Sequence, residues 1–317
     1  MQTLDQAVLE AALGWLAAAD RRVWLCTIVA GTGSAPRPPG TLLACDSAGG
    51  QVGSLSGGCI EDDLLERLRE GRLPDVAAVV EYGVSAEENE RLGLPCGGRL
   101  QVLVQPLDPD RDGAWLRAAL AAMAERRCLL REVSVGANHT DWRPAEHFAP
   151  LAWDGNVLRQ TFGPRQRMLL VGAGQLSQTL AELALAMDYE VLVTDPREHV
   201  RAQWAGPEVP LLGGMPDDVI RAEASDAHSL VITLTHDPRI DDMALMEALT
   251  GAAWYVGALG SRRTTEKRLE RLRQLGLSET QLSALHAPVG LDIGSKTPME
   301  IAVAILAELV RLRRRPA

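Results

Sequence analysis

The chain has 317 residues, of which 46% are hydrophobic and 23% are charged, a composition typical of a folded globular protein with room for two domains. Its net charge of −10 disfavours nucleic acid or an anionic membrane as a partner, because either one requires a cationic surface. No apolar run reaches the ~20 residues of a membrane span, and the first ten residues lack the basic segment of a signal peptide. We therefore expect a cytoplasmic protein.

The N-terminal part combines short apolar strands with helices. The pattern predicts a helix at 3–19, strands at 23–29, 41–45 and 51–55, a helix from 59 to 71, strands at 77–82 and 100–105, a helix near 113–125 and a strand at 127–135. This gives an N-terminal α/β module over residues 1–140. Residues 141–166 contain three prolines and show no sustained period, which predicts a linker.

The remaining residues, 167–317, alternate strands with helices. Strands are predicted at 168–172, 190–194, 229–234 and 253–257, and helices at 175–187, 241–249 and 264–275. Alternation of this kind indicates a parallel sheet covered by helices on both faces. A last helix at 299–312 is apolar almost all round and is expected to be buried. It is preceded by Thr297, Pro298 and Glu300, which predict a capping box at its start.

A glycine-rich turn follows the first strand of this second part. Residues 172–177 read Gly-Ala-Gly-Gln-Leu-Ser and lead into a helix, and Asp195 follows the next strand. In a Rossmann domain such glycines let the backbone approach a pyrophosphate, and the acid accepts hydrogen bonds from ribose. The pattern predicts a Rossmann-type domain with a nucleotide site at Gly172, Gly174, Ser177 and Asp195, and NAD(P) as a candidate ligand. The alternative is that the glycines serve only the strand–helix turn.

Three further glycine-rich segments lie in the N-terminal module, at 31–40, 53–59 and 95–99. Their backbone N–H groups, with nearby arginines, are suited to an anion; the candidates are Gly57, Gly58, Gly97, Gly98, Arg37 and Arg99. Cys59 begins a helix, whose dipole favours a thiolate, while acids in the same first turn, Glu61 among them, oppose one. The alternative for Cys59 and Cys96 is that they are small buried apolar residues, as we expect for Cys26, Cys45 and Cys128. No CxxC pair is present, so neither disulfides nor a zinc site is predicted.

Several polar residues follow strands or precede helices in the second part. The possible ligand contacts are His236, Asp237, Arg262, Asp292 and Lys296. His236 suits a metal ligand or a general base, and the alternative is helix capping or hydrogen bonding. Arg262 and the neighbouring Arg263 open a helix and suit an anion contact, and the alternative is a solvated basic helix end.

Long segments of the chain resemble a known family. GTGSAPRPPGTLL (31–43), VGSLSGGCIEDDLLE (52–66) and LPCGGRLQVLVQPL (94–107) are similar to the signature segments of the XdhC/CoxI family. In the second half, VGAGQLSQTLAELA, VLVTDPRE, VITLTHDPRIDD, YVGALGSRRTTEKRLERLRQLGL and HAPVGLDIGSKTPMEIAVAILAEL resemble the Rossmann domain of that family. The family loop usually reads GAGHVG where this chain has GAGQLS, so no role is carried over to Gln175.

This resemblance implies an accessory protein for a xanthine dehydrogenase-type molybdenum hydroxylase. It implies that the chain binds the molybdenum cofactor (molybdopterin), protects it during sulfuration by a cysteine desulfurase and delivers it to the hydroxylase. Cys59 and Cys96 match the family cysteines, and Cys59 would be a possible molybdenum ligand because a soft thiolate suits that metal. We expect a homodimer that acts as a chaperone and not as a catalyst. The alternatives are an NAD(P)-dependent oxidoreductase and a scaffold that bridges desulfurase and hydroxylase.

Overall fold

A computed structural model describes residues 4–18, 20–32, 37–85 and 99–314, and for Cys59 the backbone alone. The chain divides into two compact units, Met1–Pro164 and Arg165–Ala317. The predicted α/β class is confirmed for both units. Within the described ranges, no helix has the length and apolar character needed to cross a membrane.

The first unit is built mainly of antiparallel strands. Its described elements are α1 (Leu4–Leu16), β1 (Val23–Thr32), β2 (Leu42–Asp46), β3 (Gln51–Gly53), α2 (Cys59–Arg69), β4 (Ala78–Tyr82), β5 (Arg99–Leu107), α3 (Pro109–Ala124), β6 (Cys128–Ser134), β7 (Asp141–Ala145), β8 (Ala152–Trp153) and β9 (Val157–Phe162). They form a five-stranded sheet in the order β3-β2-β1-β5-β4 and a four-stranded sheet in the order β7-β6-β9-β8.

The five-stranded sheet is covered on both faces. Alternate residues of β1, such as Trp24 and Cys26, pack with Ile60 and Leu64 of α2, while Val23 and the residues that alternate with it pack with α1 and α3. Since a central strand between two helical layers is apolar on both sides, β1 reads as a continuous apolar run. Cys26, Cys45 and Cys128 are buried, as predicted.

The segment at 141–166 differs from its predicted role as a linker. Strands β7, β8 and β9 lie in it and pair with β6 or with one another, and the boundary between the units falls after Pro164. Pro144 is tolerated because β7 is an edge strand, where one side of the backbone needs no ladder hydrogen bond. Pro144 therefore marks a strand at the edge of the sheet, while Pro164 lies at the boundary between the two units.

A buried arginine joins the two sheets of the first unit. Arg131 of β6 is fully buried and donates hydrogen bonds to Thr27 of β1 (2.7 Å), Gln160 of β9 (2.8 Å) and Gln105 of β5 (3.3 Å). Its guanidinium also lies 5.3 Å from the ring centres of both Trp115 and Phe162. Neutral acceptors, the two aromatic rings and the nearby carboxylate of Asp112 stabilise this charge, and the contacts fix β6 and β9 against β1 and β5.

The second unit is a parallel sheet between helices. Its elements are β10 (Arg167–Val171), α4 (Gln175–Ala186), β11 (Glu190–Thr194), α5 (Glu198–Arg201), β12 (Leu211–Leu212), α6 (Pro216–Glu223), β13 (Ser229–Thr233), α7 (Pro238–Thr250), β14 (Tyr255–Ala258), α8 (Arg262–Gln274), α9 (Glu279–Ser283), β15 (Leu285–His286) and α10 (Pro298–Arg313). The strand order β12-β11-β10-β13-β14-β15 is that of a doubly wound dinucleotide-binding fold, which confirms the Rossmann prediction.

Helices cover both faces of this sheet. Met168 and Leu170 of β10 pack with α4 and α10, and Leu169 and Val171 pack with α6, α7 and α8. The predicted capping box at the start of α10 is confirmed. The prediction that α10 is buried all round is wrong on one side, where Met299, Val303 and Val310 are 40–48% exposed.

We expect Arg131→Ala to lower the free energy of unfolding by about 3 kcal/mol, because the change opens a cavity and leaves buried amide oxygens without donors. Urea denaturation of the full chain measures this loss. Arg143→Ala is the control, because Arg143 lies on neighbouring β7 with an exposed side chain and should change stability by at most about 0.5 kcal/mol. Equal stabilities of the two variants would contradict a structural role for Arg131.

Candidate functional site

Three strand ends of the five-stranded sheet adjoin the predicted glycine-rich segments in the sequence: the ends of β1 and β3 and the start of β5. Thr32, where β1 ends, pairs with Arg99, where β5 begins. On the other side, Leu43 pairs with Cys26 of β1 and with Gly53, the last residue of β3. The ends of β1 and β3 and the start of β5 thus face the same way along the sheet, with Gly53 level with Cys26, six residues before Thr32.

The loop between β3 and α2 closes around a carboxylate of the chain itself. Glu61 accepts hydrogen bonds from the backbone N–H groups of residues 55–58, at 2.8–3.1 Å, and from the hydroxyls of Ser54 and Ser56. Its side chain is buried, with 5% of the residue exposed. Burial alone would raise the pKa of Glu61, but these hydrogen bonds outweigh it and hold that pKa well below its ordinary value.

The N–H groups of Gly57 and Gly58, predicted to receive an external anion, are therefore already used. The nest of backbone donors that the glycines create is real, but the anion in it is Glu61. The sequence contained the signal in the acid three residues after Gly58, which is the spacing of a capping acid. The Cys59 side chain and the predicted residues Cys96, Gly97 and Gly98 lie outside the described part of the chain.

The two predicted arginines of this module are placed differently. Arg99 is exposed at the start of β5, while Arg37 is half-buried in the segment before β2. Neither forms an ion pair among the described residues. Both remain available to an anion at this end of the sheet.

We expect Glu61→Gln to lower the free energy of unfolding at pH 7 by about 2 kcal/mol, because an amide NH₂ would face hydrogen-bond donors. The folded-state pKa of Glu61 lies below its unfolded value near 4.3, so this stabilisation is complete above that value and is lost as the pH falls further. The difference between wild type and variant should narrow below about pH 4. Urea denaturation at several pH values measures it, and Asp62→Asn, an exposed acid of the same helical turn, is the control.

In the second unit, the glycine turn joins β10 to α4 at the point where the strand order reverses. Gly172 has a φ of +112°, and a Cβ there would lie 2.8 Å from the Thr235 side chain, so glycine is required. Ser177 is buried and donates a 2.5 Å hydrogen bond to the carbonyl of Gly172. It replaces the third glycine of the fingerprint and closes the turn, and its hydroxyl is not left for a ligand.

Asp195 lies at the end of β11 as predicted, but its carboxylate is directed into the protein. The residue is fully buried and accepts hydrogen bonds from the N–H of Ala173 in the glycine turn and from the backbone and guanidinium of Arg197. Burial raises the pKa of Asp195, but these hydrogen bonds dominate and lower it overall. The carboxylate predicted to contact ribose hydroxyls thus stabilises the glycine turn in this structure.

A pocket of about 380 Å³, the glycine-turn pocket, lies beside this turn, where ligands bind in open α/β sheets. Gly174 caps α4 without a side chain, and a Cβ added there would meet nothing within 4 Å. The first N–H groups of α4 are thus left without a side-chain cap, which suits an anion. Arg197 and Lys296 line the same pocket, so its polar groups are mainly donors and cations.

The other predicted ligand contacts divide into two groups. His236 is exposed and lines the glycine-turn pocket with Lys296. Asp237 caps α7 by accepting the N–H of Arg239, which is the capping alternative. Arg262 and Asp292 form an exposed ion pair with each other at 2.9 Å and do not line this pocket.

Sequence reasoning missed two cations near this site, Arg197 and Lys267. Arg197 lines the glycine-turn pocket, while Arg263 and Lys267 line an adjoining one. The sequence contained one signal for Lys267, because it and Lys296 are the only lysines of the chain. Both line these pockets. In the described ranges, no cluster of three His, Cys, Asp or Glu side chains is placed to hold a metal ion.

We expect Gly172→Ala to lower the free energy of unfolding by about 2 kcal/mol or more, since it forces a non-glycine residue into a positive φ and against Thr235. Gly174→Ala should leave stability nearly unchanged. Its methyl group enters the open space beside the first turn of α4 and should weaken binding of inorganic phosphate several-fold. Thermal unfolding and calorimetry separate the two effects, and normal phosphate binding by Gly174→Ala would contradict the pocket as an anion site.

Comparison with known proteins extends over both units. Residues 168–309 match the XdhC Rossmann domain, and residues 16–83 match the XdhC and CoxI family. The chain is 25% identical to a probable xanthine dehydrogenase subunit of Bacillus subtilis, over 92% of this chain and 94% of that protein. It is 28% identical to the molybdenum cofactor insertion chaperone PaoD of Escherichia coli, over 91% and 83%. A crystal structure of a xanthine dehydrogenase from Bacillus halodurans matches with a TM-score of 0.74 and 25% identity, over 96% and 95%.

Proposed function

We propose that this chain, which belongs to the XdhC and CoxI family, binds the molybdenum cofactor and delivers it to a xanthine dehydrogenase-type hydroxylase. The similarity to a molybdenum cofactor insertion chaperone over 91% of the chain supports the class of cargo. The similarity to a Bacillus subtilis protein named as a probable xanthine dehydrogenase subunit supports the class of client. The proposal includes protection of the cofactor while its terminal sulfur ligand is installed.

The observation that carries this proposal is the charge of the glycine-turn pocket. The cofactor is a pterin with a phosphate, and the pocket offers an uncapped helix N-terminus with Lys296 and Arg197 beside it. An open position at Gly174 allows a phosphate to approach the backbone closely. These groups fit the phosphate end of the cofactor, which Lys296 and the first N–H groups of α4 would hold.

The thiol of Cys59 is proposed as the contact for molybdenum or for the sulfur in transit. When bound, the cofactor supplies a soft metal centre, for which a thiolate is a suitable ligand. Glu61 already occupies the backbone donors of residues 55–58. A ligand at this segment would therefore depend on the Cys59 side chain, with Cys96, Arg37 and Arg99 proposed as further contacts.

The rival function, an NAD(P)-dependent oxidoreductase, has less support. A nicotinamide dinucleotide of this fold presents ribose hydroxyls to the acid that follows the second strand. Here that acid, Asp195, is buried and bonded to Ala173 and Arg197. Use of Asp195 by a ribose would first require these hydrogen bonds to break.

The remaining parts of the proposal concern assembly. The sulfur donor would be a cysteine desulfurase and the recipient an apo-hydroxylase, so the chain would meet two partners in turn. We propose that it does so in the cytoplasm, as a homodimer. The chain itself binds, protects and transfers the cofactor, and it turns over no metabolite.

We expect Cys59→Ala to fold with a wild-type melting temperature but to lose retention of the cofactor and activation of a co-expressed hydroxylase. Cys26→Ala is the matched control, because Cys26 is fully buried and its truncation should cost about 1 kcal/mol of stability while sparing function per folded molecule. Molybdenum content, pterin fluorescence and hydroxylase activity are measured beside thermal unfolding. Full activation by Cys59→Ala would refute the thiol role, and a hydroxylase independent of the whole chain would refute the proposed function.

A further inference from the structure

A second, larger pocket adjoins the glycine-turn pocket. Its volume is about 640 Å³, and it shares Thr235, His236, Leu259 and Ile301 with its neighbour. Both volumes fall within the range of small-molecule sites, about 300–1,000 Å³. We call the second one the α8 pocket, because the first turns of α8 form one of its walls. The two pockets lie side by side at the carboxyl ends of β10, β13 and β14.

The basic side chains of the α8 pocket fall into two classes. Arg268 is buried and paired with Asp241 at 3.0 Å, and Arg271 is paired with Asp242. Arg263 and Lys267 are exposed and have no ion-pair partner among the described residues. They are four positions apart on α8 and so lie on the same helix face, directed to the same pocket.

The position of these two cations is locally unfavourable. Two like charges four residues apart on a helix repel each other. The first turn of α8 also contains no acid, and cations near a helix N-terminus oppose the helix dipole. An anion bound between Arg263 and Lys267 would relieve both effects, and the N-terminus of α8 would add to its stabilisation.

A buried group on the same wall is also incompletely satisfied. Arg268 is 3% exposed and lines the α8 pocket, yet its Nε donates no hydrogen bond within the described residues and lies 4.0 Å from Oδ1 of Asp242. In a protein of net charge −10, an excess of unmatched donors at one cleft indicates an anionic ligand.

We infer that the cleft contains two anion subsites separated by Thr235 and His236, one at the glycine turn with Lys296 and one at α8 with Arg263 and Lys267. Its ligand therefore carries at least two anionic groups, of which the phosphate of the proposed cofactor would occupy the subsite at the glycine turn. The inference rests on the proposed function for the identity of the natural ligand. The two subsites themselves are tested with inorganic anions and without the cofactor.

The experiment compares inorganic phosphate with linear tripolyphosphate by calorimetry on the full chain at about 0.15 M salt. Wild type should bind tripolyphosphate at least tenfold more tightly than phosphate. The double variant Arg263→Gln/Lys267→Gln should lose about tenfold in tripolyphosphate affinity, with less than a twofold change for phosphate. Lys296→Gln should weaken both probes, because it alters the subsite that they share.

Arg262→Gln is the control, because it removes one positive charge from the same helix but lies outside both pockets, paired with Asp292. It should change neither affinity by more than about twofold. Thermal unfolding of the double variant should equal or exceed that of wild type, since unpaired cations near the helix N-terminus are removed.

Three results would overturn the inference. These are no tripolyphosphate binding by wild type at millimolar concentration, an unchanged tripolyphosphate affinity in the double variant, or an equal loss in the double variant and Arg262→Gln. The outcome is independent of the cofactor assay. Loss of cofactor retention in Cys59→Ala with normal tripolyphosphate binding would leave both proposals standing. Failure of the tripolyphosphate assay alone would reject only the two subsites, and failure of the cofactor assay alone would reject only the proposed function.

Discussion

Two glycine loops of this protein, the one before α2 and the one before α4, are closed by a carboxylate of the chain itself, and the local architecture depends on that constraint. Backbone N–H groups in a tight turn must find acceptors when they are buried. Glu61 supplies them for residues 55–58 in the first unit, and Asp195 supplies one for Ala173 in the second. Each acid also determines how a helix begins, because the loop it closes leads directly into α2 or α4.

Because these acids are directed into the protein, they determine the sign of the charge on the surface that stays exposed. With Asp195 bonded to Ala173 and Arg197, the cleft at the end of β10 contains no free carboxylate from the second strand. Its uncompensated groups are helix N–H donors and the side chains of Lys296, Arg263 and Lys267. A fold that commonly binds nicotinamide dinucleotides through an acid thus presents, in this chain, a cleft suited to phosphoryl groups. That change follows from hydrogen bonding and requires no change of topology.

Prediction from sequence succeeded where the determining interactions are local. The Rossmann unit was predicted with its order of long strands and helices, because hydrophobic period, glycine turns and capping residues act over a few positions. The prediction from sequence missed β12 and β15, which have two residues each and are too short to show a hydrophobic period. Strands β7 to β9 were interpreted as a linker, because Pro144 signals a break unless the strand is known to lie at a sheet edge.

The sequence by itself determined the α/β class, the glycine turn at Gly172 and the capping box of α10, since each follows from backbone conformation and neighbouring side chains. Only the tertiary structure decided which polar groups are engaged in internal hydrogen bonds or ion pairs and which remain available to a ligand. Arg131 donates a hydrogen bond to Thr27, which is 104 positions away in the sequence, and the N–H of Ala173 donates one to Asp195, which is 22 positions away. Whether a charged side chain is a structural partner or a ligand contact depends on distances of about 3 Å between such remote residues, and no local pattern encodes those distances.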